Sequence, residues 1–402
     1  MTEEITNAGV VGLGVMGFDI AFLYSMKGYR TLAYDIAKNV MEALPKQREQ
    51  TIDRLRKRNR ISEIEVQHVR EHLVPTAEFS ALAEADLVTE AVSEASRTKI
   101  SAYRALRDVG FSGILTTNTS SLTRHALLAD GAYEPNKFAT THFFNPVLHT
   151  RMVELVKGDM DQHQFTLLLS FLKTIERSPV ETQDISGFVS NSVLMYYAVM
   201  SLNLLQSGAR IEQVDETAKK LGLLPPLISF DSWKPSIVDD VTRVMFEGRG
   251  DDFLRSSKLL SILAKTNPHF YVAQKPNPEI YDCIDENYDS LDTSVIERAL
   301  KVSIHVAAAR VVELGEDPAK VDFISTVGIK IPQPPLREID NAGAIAVIQE
   351  IDAINGAIAG PGLTPPQILL ALADQRQSFY RGEQPSPWIS SFVEQQRFHA
   401  RR

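Results

Sequence analysis

The chain has 402 residues, of which 44% are apolar and 23% charged, and it carries a net charge of -9. These are ordinary values for a folded chain of two or three domains, and the acidic balance speaks against nucleic acid or an anionic membrane surface as a partner. Its single cysteine, Cys283, excludes an intrachain disulfide and a cysteine-rich metal site, which fits a reducing, cytoplasmic setting.

The opening segment, MTEEITNAGVVGLG, is acidic and runs straight into a strand pattern, so it does not read as a secretion signal. No apolar run approaches the ~20 residues needed to span a bilayer. Ala8–Gly12 reads as a short apolar strand ending in glycine, and Met16–Lys27 as the helix after it. Between them Gly12-Leu13-Gly14-Val15-Met16-Gly17 spells G-x-G-x-x-G. Alone that pattern is weak. After a strand and before a helix it reads as a phosphate-binding turn, with the helix N-terminus offering N–H groups to a pyrophosphate. A second strand, Tyr29–Tyr34, ends at Asp35. A carboxylate there can accept hydrogen bonds from both ribose hydroxyls and would repel a 2′-phosphate, so the expected cofactor is NAD.

Glu42–Arg70 is charged and helical, interrupted near Arg60–Ser62, and reads as a helical arm inserted after the second strand. It carries a cationic run, Arg54, Arg56, Lys57, Arg58 and Arg60, which is either a solvated helix face or an anion-binding surface. Further strand patterns follow at Asp86–Ala91, Gly113–Thr117, Phe138–Phe143 and Arg151–Val156. Strands separated by helices imply an α/β unit with a mostly parallel sheet.

Ser186–Gly187 marks a break, and beyond it the pattern is almost wholly helical. Long helices are expected over Phe188–Gln206 and Val295–Leu314, each followed by a glycine. The stretch Asn267–Thr293, with its prolines and acids, reads as a linker. NLLQSGARIEQVDETAKKLGLLPPLISFDSW and RVVELGEDPAKVDFISTVGIKIPQPPLREIDNA share one order: helix, glycine, Val-Asp, short helix, proline pair, aspartate. They read as a repeat. The expected organisation is an α/β Rossmann domain over 1–185, a first all-α domain over 186–285 and a second, repeated one over 286–402.

Two segments carry candidate chemistry: Asn118-Thr-Ser-Ser121, and His142-Phe-Phe-Asn-Pro146 followed by Met152-Val-Glu154-Leu. Oxidising an alcohol needs a base for the hydroxyl proton while hydride leaves the carbon, and an imidazole exchanges protons near neutrality. A carboxylate beside it fixes the tautomer and stabilises the charged form. His142 and Glu154 lie on neighbouring strand patterns, so a turn could bring them together. His149 reads as a loop histidine, and the remaining histidines show no ligand spacing, so no metal is expected.

The strings VVGLGVMG, TEAVSE, NTSSL, THFFNPV, MVELVKG and SGFVSN, in this order over roughly residues 8–235, resemble the L-3-hydroxyacyl-CoA dehydrogenase family. The tandem helical repeat is similar to the dehydrogenase part of multifunctional fatty-acid oxidation proteins. The resemblance implies helical domains like the C-terminal domain of 6-phosphogluconate dehydrogenase. It also implies NAD-dependent oxidation of a 3-hydroxyacyl-CoA, or the reverse reduction. By resemblance His142 is the general base or acid and Glu154 its partner. Ser120 and Asn191 bind the substrate 3-oxygen. Glu94, Lys99 and Asn145 line the nicotinamide and its ribose, and the run from Arg56 to Arg60 grips the coenzyme A nucleotide. A second helical copy could fill the place of a dimer partner, so a monomer or a homodimer is expected.

Three departures stand out. The family usually reads G-F-x-x-N-R where this chain has Ser192 after Asn191, and P-M-G-P-F where it has Pro226-Leu-Ile-Ser-Phe230. Thr141 stands where a small or apolar residue is common. An atypical or carrier-protein-bound acyl thioester is therefore an alternative substrate. A non-catalytic, structural NAD-binding relative is another alternative. The related lysine-dependent β-hydroxyacid dehydrogenases place a lysine one turn before their asparagine, where this chain has Gly187.

Overall fold

The first strand, β1 (Asn7–Val11), lies inside a sheet, flanked on both sides by parallel partners. The computed structural model describes residues 4–284 and 291–400, and the chain divides into two units, Met1–Asp184 and Ile185–Arg402. In the first unit β1 is followed by α1 (Val15–Met26), β2 (Arg30–Tyr34), α2 (Lys38–Arg56), α3 (Glu63–His72) and β3 (Leu73–Pro75). Then come β4 (Leu87–Glu90), α4 (Ser96–Asp108), β5 (Ile114–Thr117), the short α5 (Arg124–Leu127) and β6 (Phe138–Phe143). The unit ends with β7 (Met152–Val156), α6 (Gln162–Thr174) and β8 (Ser178–Glu181).

The eight strands form one sheet in the order β3-β2-β1-β4-β5-β6-β7-β8. Neighbours are parallel except β6 and β7. The chain builds outward from β1 through β2 to β3 and then returns to lay β4 on the other side. This reversal opens a crevice beyond the carboxyl end of β1, where α/β sheets bind ligands. Strands β4 to β7 are buried along their whole length, which explains their near-continuous apolar reading. Helix α1 is buried almost all round and supplies Phe18, Phe22, Leu23 and Tyr24 to the core.

The six expected strands are present, with ends shifted by at most one residue. Two edge strands were not legible: β3 is three residues long and β8 contains Pro179. Short, proline-containing edges carry no clear period. The arm is two helices broken over 57–62. Asn59 adopts a left-handed φ of 51°, and Ser62 opens α3 in a capping box with Glu65.

The second unit is helical: α7 (Ser190–Gln206), α8 (Ile211–Lys220), α9 (Pro226–Trp233), α10 (Pro235–Arg249), α11 (Lys258–Thr266) and a small hairpin of β9 (Tyr271–Val272) and β10 (Lys275–Pro276). The same series follows as α12 (Thr293–Glu313), α13 (Pro318–Phe323), α14 (Pro335–Ala342), α15 (Ala344–Ala357), α16 (Gln367–Gln375) and a hairpin of β11 (Tyr380–Arg381) and β12 (Gln384–Pro385). Helix α17 (Pro387–Ala400) closes the described chain.

The anchors repeat as well as the helices. Asp215 accepts the amides of Leu227 and Ile228, at 2.8 and 2.9 Å, and Asp322 accepts that of Leu336 at 2.9 Å. Asp231 accepts from the amides of Phe270 and Tyr271, and Asp340 from those of Phe379 and Tyr380. The second copy is longer between Asp322 and Pro334 than the first between Asp215 and Pro225. A π-helical turn, Ile324–Gly328, takes up extra chain. Helices α7 and α12 pack against each other.

The stretch from Asn267, read as a linker, is built structure as far as residue 284. It forms the hairpin and a 3₁₀ turn, Pro278–Cys283, with Phe270 and Ile280 fully buried. Asn277 caps the 3₁₀ turn, Pro278 opens it and Pro276 lies in the hairpin, so the density of prolines here marks short ordered elements rather than a linker. The expected boundary at 285/286 lies outside the described residues. Among the described residues no helix is long and apolar enough to cross a membrane.

Candidate active site

The glycine turn shows three different needs for glycine. Gly12 has φ 87°, and a Cβ on it would lie 2.7–2.8 Å from the backbone of Ala91 and Val92. A Cβ on Gly17 would lie 1.8 Å from the carbonyl oxygen of Gly12, so only glycine lets α1 start this close to β1. A Cβ on Gly14 would meet nothing within 4 Å. Gly14 and Val15 are exposed, Met16 is half-buried and Leu13 is buried. No side chain caps α1, so the open space at Gly14 faces uncapped helix N–H groups suited to phosphate oxygens.

Asp35 is tied to this turn. Its carboxylate accepts the amide of Leu13 at 2.7 Å and that of Ala37 at 2.8 Å. It thus braces both the phosphate turn and the entry to α2. A cavity of about 350 Å³ opens beside it, lined by Gly12, Tyr34, Ile36, Phe79, Ala102 and Ala105 among others. Apolar walls and one carboxylate fit an adenine and its ribose diol. Phe79 and Ala102 lie on elements that sequence reasoning did not connect to the cofactor.

Under the crevice lies a buried charge cluster that sequence reasoning saw only in part. Glu90, at the end of β4, is fully buried and accepts from Lys99 at 2.9 Å, Tyr103 at 2.8 Å and Thr117 at 2.7 Å. Lys99 also lies 3.4 Å from Glu94. Expected to line the cofactor, Lys99 has no exposed side-chain surface and sits between the two carboxylates. Burial opposes its charge, but Glu90 and Glu94 outweigh that and hold its pKa above the ordinary value. Glu94 accepts from the Thr119 hydroxyl at 2.6 Å and the amides of Ser120 and Ser121 at 2.7 and 2.9 Å. Burial would push its carboxyl up; Lys99 and these hydrogen bonds hold it below the carboxylate range. Glu94 therefore fixes the Ser120 backbone. The helix cap in this region is Thr123, not Ser120.

Replacing Lys99 by Met would leave Glu90 buried without its cation. The expected loss is about 3–5 kcal/mol of stability, read in a denaturant melt. An unchanged midpoint would show that the pair does not hold the sheet.

His142 and Glu154 face each other directly in the antiparallel register of β6 and β7. Nδ1 of His142 lies 3.0 Å from Oε2 of Glu154. The Glu154 side chain is fully buried and that of His142 is 9% exposed. The Phe143 amide donates to Oδ1 of Asn118 at 2.9 Å, tying the end of β5 to the histidine strand. Thr141, on the opposite face, is buried, and its hydroxyl has no hydrogen-bond partner among the described residues. It packs where an apolar residue would. Asn145 is exposed at the strand's end.

The arm divides its cations. Arg56 donates from Nε to Glu63 at 3.0 Å, so this expected nucleotide contact is already paired. Arg60 lies 2.8 Å from Nδ1 of His149 on an exposed corner. Burial and the charges of Arg60, Arg58 and Arg54 hold the His149 imidazole below its ordinary pKa, so its nitrogen accepts from Arg60. Burial also raises the Asp19 carboxyl on α1 to about 6, against the opposing pull of Arg54.

Asn191 belongs to the second unit, in the first turn of α7, where Val189 is the N-cap. It is half-buried and follows two left-handed residues, Gly187 (φ 78°) and Phe188 (φ 51°). Among the described residues no group of three or more His, Cys, Asp or Glu could hold a metal ion.

Comparison with known proteins agrees with this layout. Residues 7–185 match the family described as "3-hydroxyacyl-CoA dehydrogenase, NAD binding domain", and residues 187–271 match "3-hydroxyacyl-CoA dehydrogenase, C-terminal domain". The fatty acid oxidation complex subunit alpha of Idiomarina loihiensis is 28% identical over 221 residues, 54% of this chain. The match spans 31% of that relative's own length. The crystal structure of FadB2 from M. tuberculosis superposes with a TM-score of 0.61 at 25% identity, over 65% of this chain and 94% of that one. The 3-hydroxybutyryl-CoA dehydrogenase of Escherichia coli K12 shares the fold over 92% of this chain and 99% of its own, with a TM-score of 0.76 at 19% identity. With an NAD-binding first domain and a matching helical domain after it, the chain belongs to the 3-hydroxyacyl-CoA dehydrogenase family.

Proposed function

We propose that this chain interconverts a 3-hydroxyacyl-CoA and the corresponding 3-oxoacyl-CoA, with His142 and Glu154 as the proton-handling pair. The observation that carries the reading is the in-register contact of the two side chains at 3.0 Å. NAD, which the Gly12–Gly17 turn and Asp35 would hold, would supply the acceptor for the hydride of the carbinol carbon. In that direction His142 takes the hydroxyl proton through Nε2, because Nδ1 is the nitrogen held by Glu154. Glu154 keeps that tautomer and stabilises the imidazolium that forms. In reduction the same imidazolium returns the proton to the 3-oxygen. Ser120, held by Glu94, hydrogen-bonds that oxygen. Asn191 keeps the substrate-binding role that the resemblance implies. Asn145 and Glu94 border the nicotinamide end. Lys99 acts from below, by fixing Glu94.

The corner of Arg60 and His149, with Arg54 and Arg58 beside it, offers exposed positive charge for the phosphates of coenzyme A. Arg56 joins it only if the Glu63 pair opens. The test uses NADH with acetoacetyl-CoA and with acetoacetyl-pantetheine, a thioester that lacks the nucleotide, following loss of NADH absorbance. Turnover of both is expected, with a lower KM for the CoA thioester. Arg60→Ala should raise only the CoA KM, about fivefold, as for ~1 kcal/mol from an exposed charge. Absence of turnover with any 3-oxoacyl thioester would overturn the enzymatic reading and favour a non-catalytic NAD-binding protein.

A further inference from the structure

The sequence motif around Asn191 lacks the arginine usual at position 192, and the structure brings a guanidinium there from elsewhere. Arg249, the last residue of α10, donates from Nη2 to the Ser192 hydroxyl at 2.6 Å and to the carbonyl of Ser186. The Ser192 hydroxyl in turn donates to the carbonyl of Phe188. These contacts clasp both ends of the Gly187–Phe188 turn, whose two left-handed residues launch α7. Phe188 is not a glycine, so the turn persists only because its surroundings over-determine it.

Arg249 is a costly residue for mere packing. Its Nε and Nη1 are buried and have no hydrogen-bond partner among the described residues. Burial pushes its pKa down to about 10, against the pull of Tyr196 and Asp251, so the group stays charged at neutral pH. Asp251 is held by the Tyr196 hydroxyl and lies 3.5 Å from Nε of Arg310 on α12. An apolar side chain would fill such a place at less cost.

We propose that Arg249 is a positioning residue: by clasping Ser186 and Ser192 it sets the direction in which Asn191 leaves the first turn of α7. The proposal rests on the reading of Asn191 as a substrate-binding residue. Misplacing such a group by about 1 Å can cost about a hundredfold in rate.

The test compares kcat and KM for acetoacetyl-CoA reduction, and the NADH dissociation constant, in wild type and in Asn191→Ala, Arg249→Met, Arg249→Lys, Arg249→Ser and the exchange Ser192→Arg with Arg249→Ser. Arg249→Met should lower kcat about tenfold to a hundredfold and leave NADH affinity unchanged. Lysine lacks the planar fork, so Arg249→Lys should keep the melting temperature and recover only part of kcat. The exchange, which moves the guanidinium next to Asn191 in sequence, should recover more than Arg249→Ser alone. If Arg249→Met does not fold, Arg249→Lys and the exchange decide. Wild-type kcat in Arg249→Lys, together with no gain from the exchange, would overturn the proposal. Wild-type behaviour of Asn191→Ala would instead overturn the reading of Asn191, and the proposal with it.

Discussion

His142→Ala is expected to lower kcat for acetoacetyl-CoA reduction by about 10²–10⁴-fold while leaving the NADH dissociation constant within about twofold. The two readouts separate because His142 lies on β6, whereas the phosphate turn and Asp35 lie at β1 and β2. On the proposed mechanism, removing the imidazole takes away the proton donor to the forming alkoxide but moves nothing in the glycine turn or at Asp35. Glu154→Gln should also be slow. It keeps the shape but replaces a buried anion by an amide, so an imidazolium beside it loses its counter-charge. The two residues act as a unit, so the double variant should be no slower than His142→Ala alone. Multiplying effects would mean that Glu154 serves the reaction apart from His142.

The second large effect divides two glycines of one turn. Gly17→Ala puts a Cβ 1.8 Å from a backbone oxygen, in a place where no side chain can move aside. The turn must open, at a cost of about 3 kcal/mol or more, and NADH binding should be lost along with a drop in melting temperature. Gly14→Ala meets no atom within 4 Å and keeps an ordinary φ of -61°. That variant should fold like the wild type. Its methyl nevertheless enters the space assigned to the pyrophosphate, so NADH affinity should fall about tenfold or more, the factor that ~1.4 kcal/mol represents. Calorimetric melts and NADH fluorescence titration distinguish the two cases. A Gly14→Ala protein that binds NADH normally would place the phosphates elsewhere.

The parts of this protein that were legible are those where one local pattern has one physical meaning. The buried strands read as apolar runs, and Gly12 to Gly17 read as the tight turn from a strand into a helix, which is what the structure has there. The helical repeat was visible in its proline pairs and aspartates, which the structure shows to be anchors for backbone amides. Glu90 was not legible. A carboxylate at the end of an apolar strand has no pattern until Lys99, Tyr103 and Thr117 arrive from other elements. The pairing of Arg56 with Glu63 depends on how the chain turns at Asn59, which the run of arginines does not disclose. Arg249 lies 57 residues from Ser192, so its arrival beside Asn191 had no local signal.

On the proposed mechanism hydride and proton reach one carbonyl group, the proton by way of His142. The most direct measurement is the fate of the label when acetoacetyl-CoA is reduced with NADH carrying two deuterium atoms at C4. Deuterium is expected at C3 of the 3-hydroxybutyryl product, formed by the wild type and not by His142→Ala at any comparable rate. Product without deuterium at C3, or equal labelling rates in the two proteins, would contradict it.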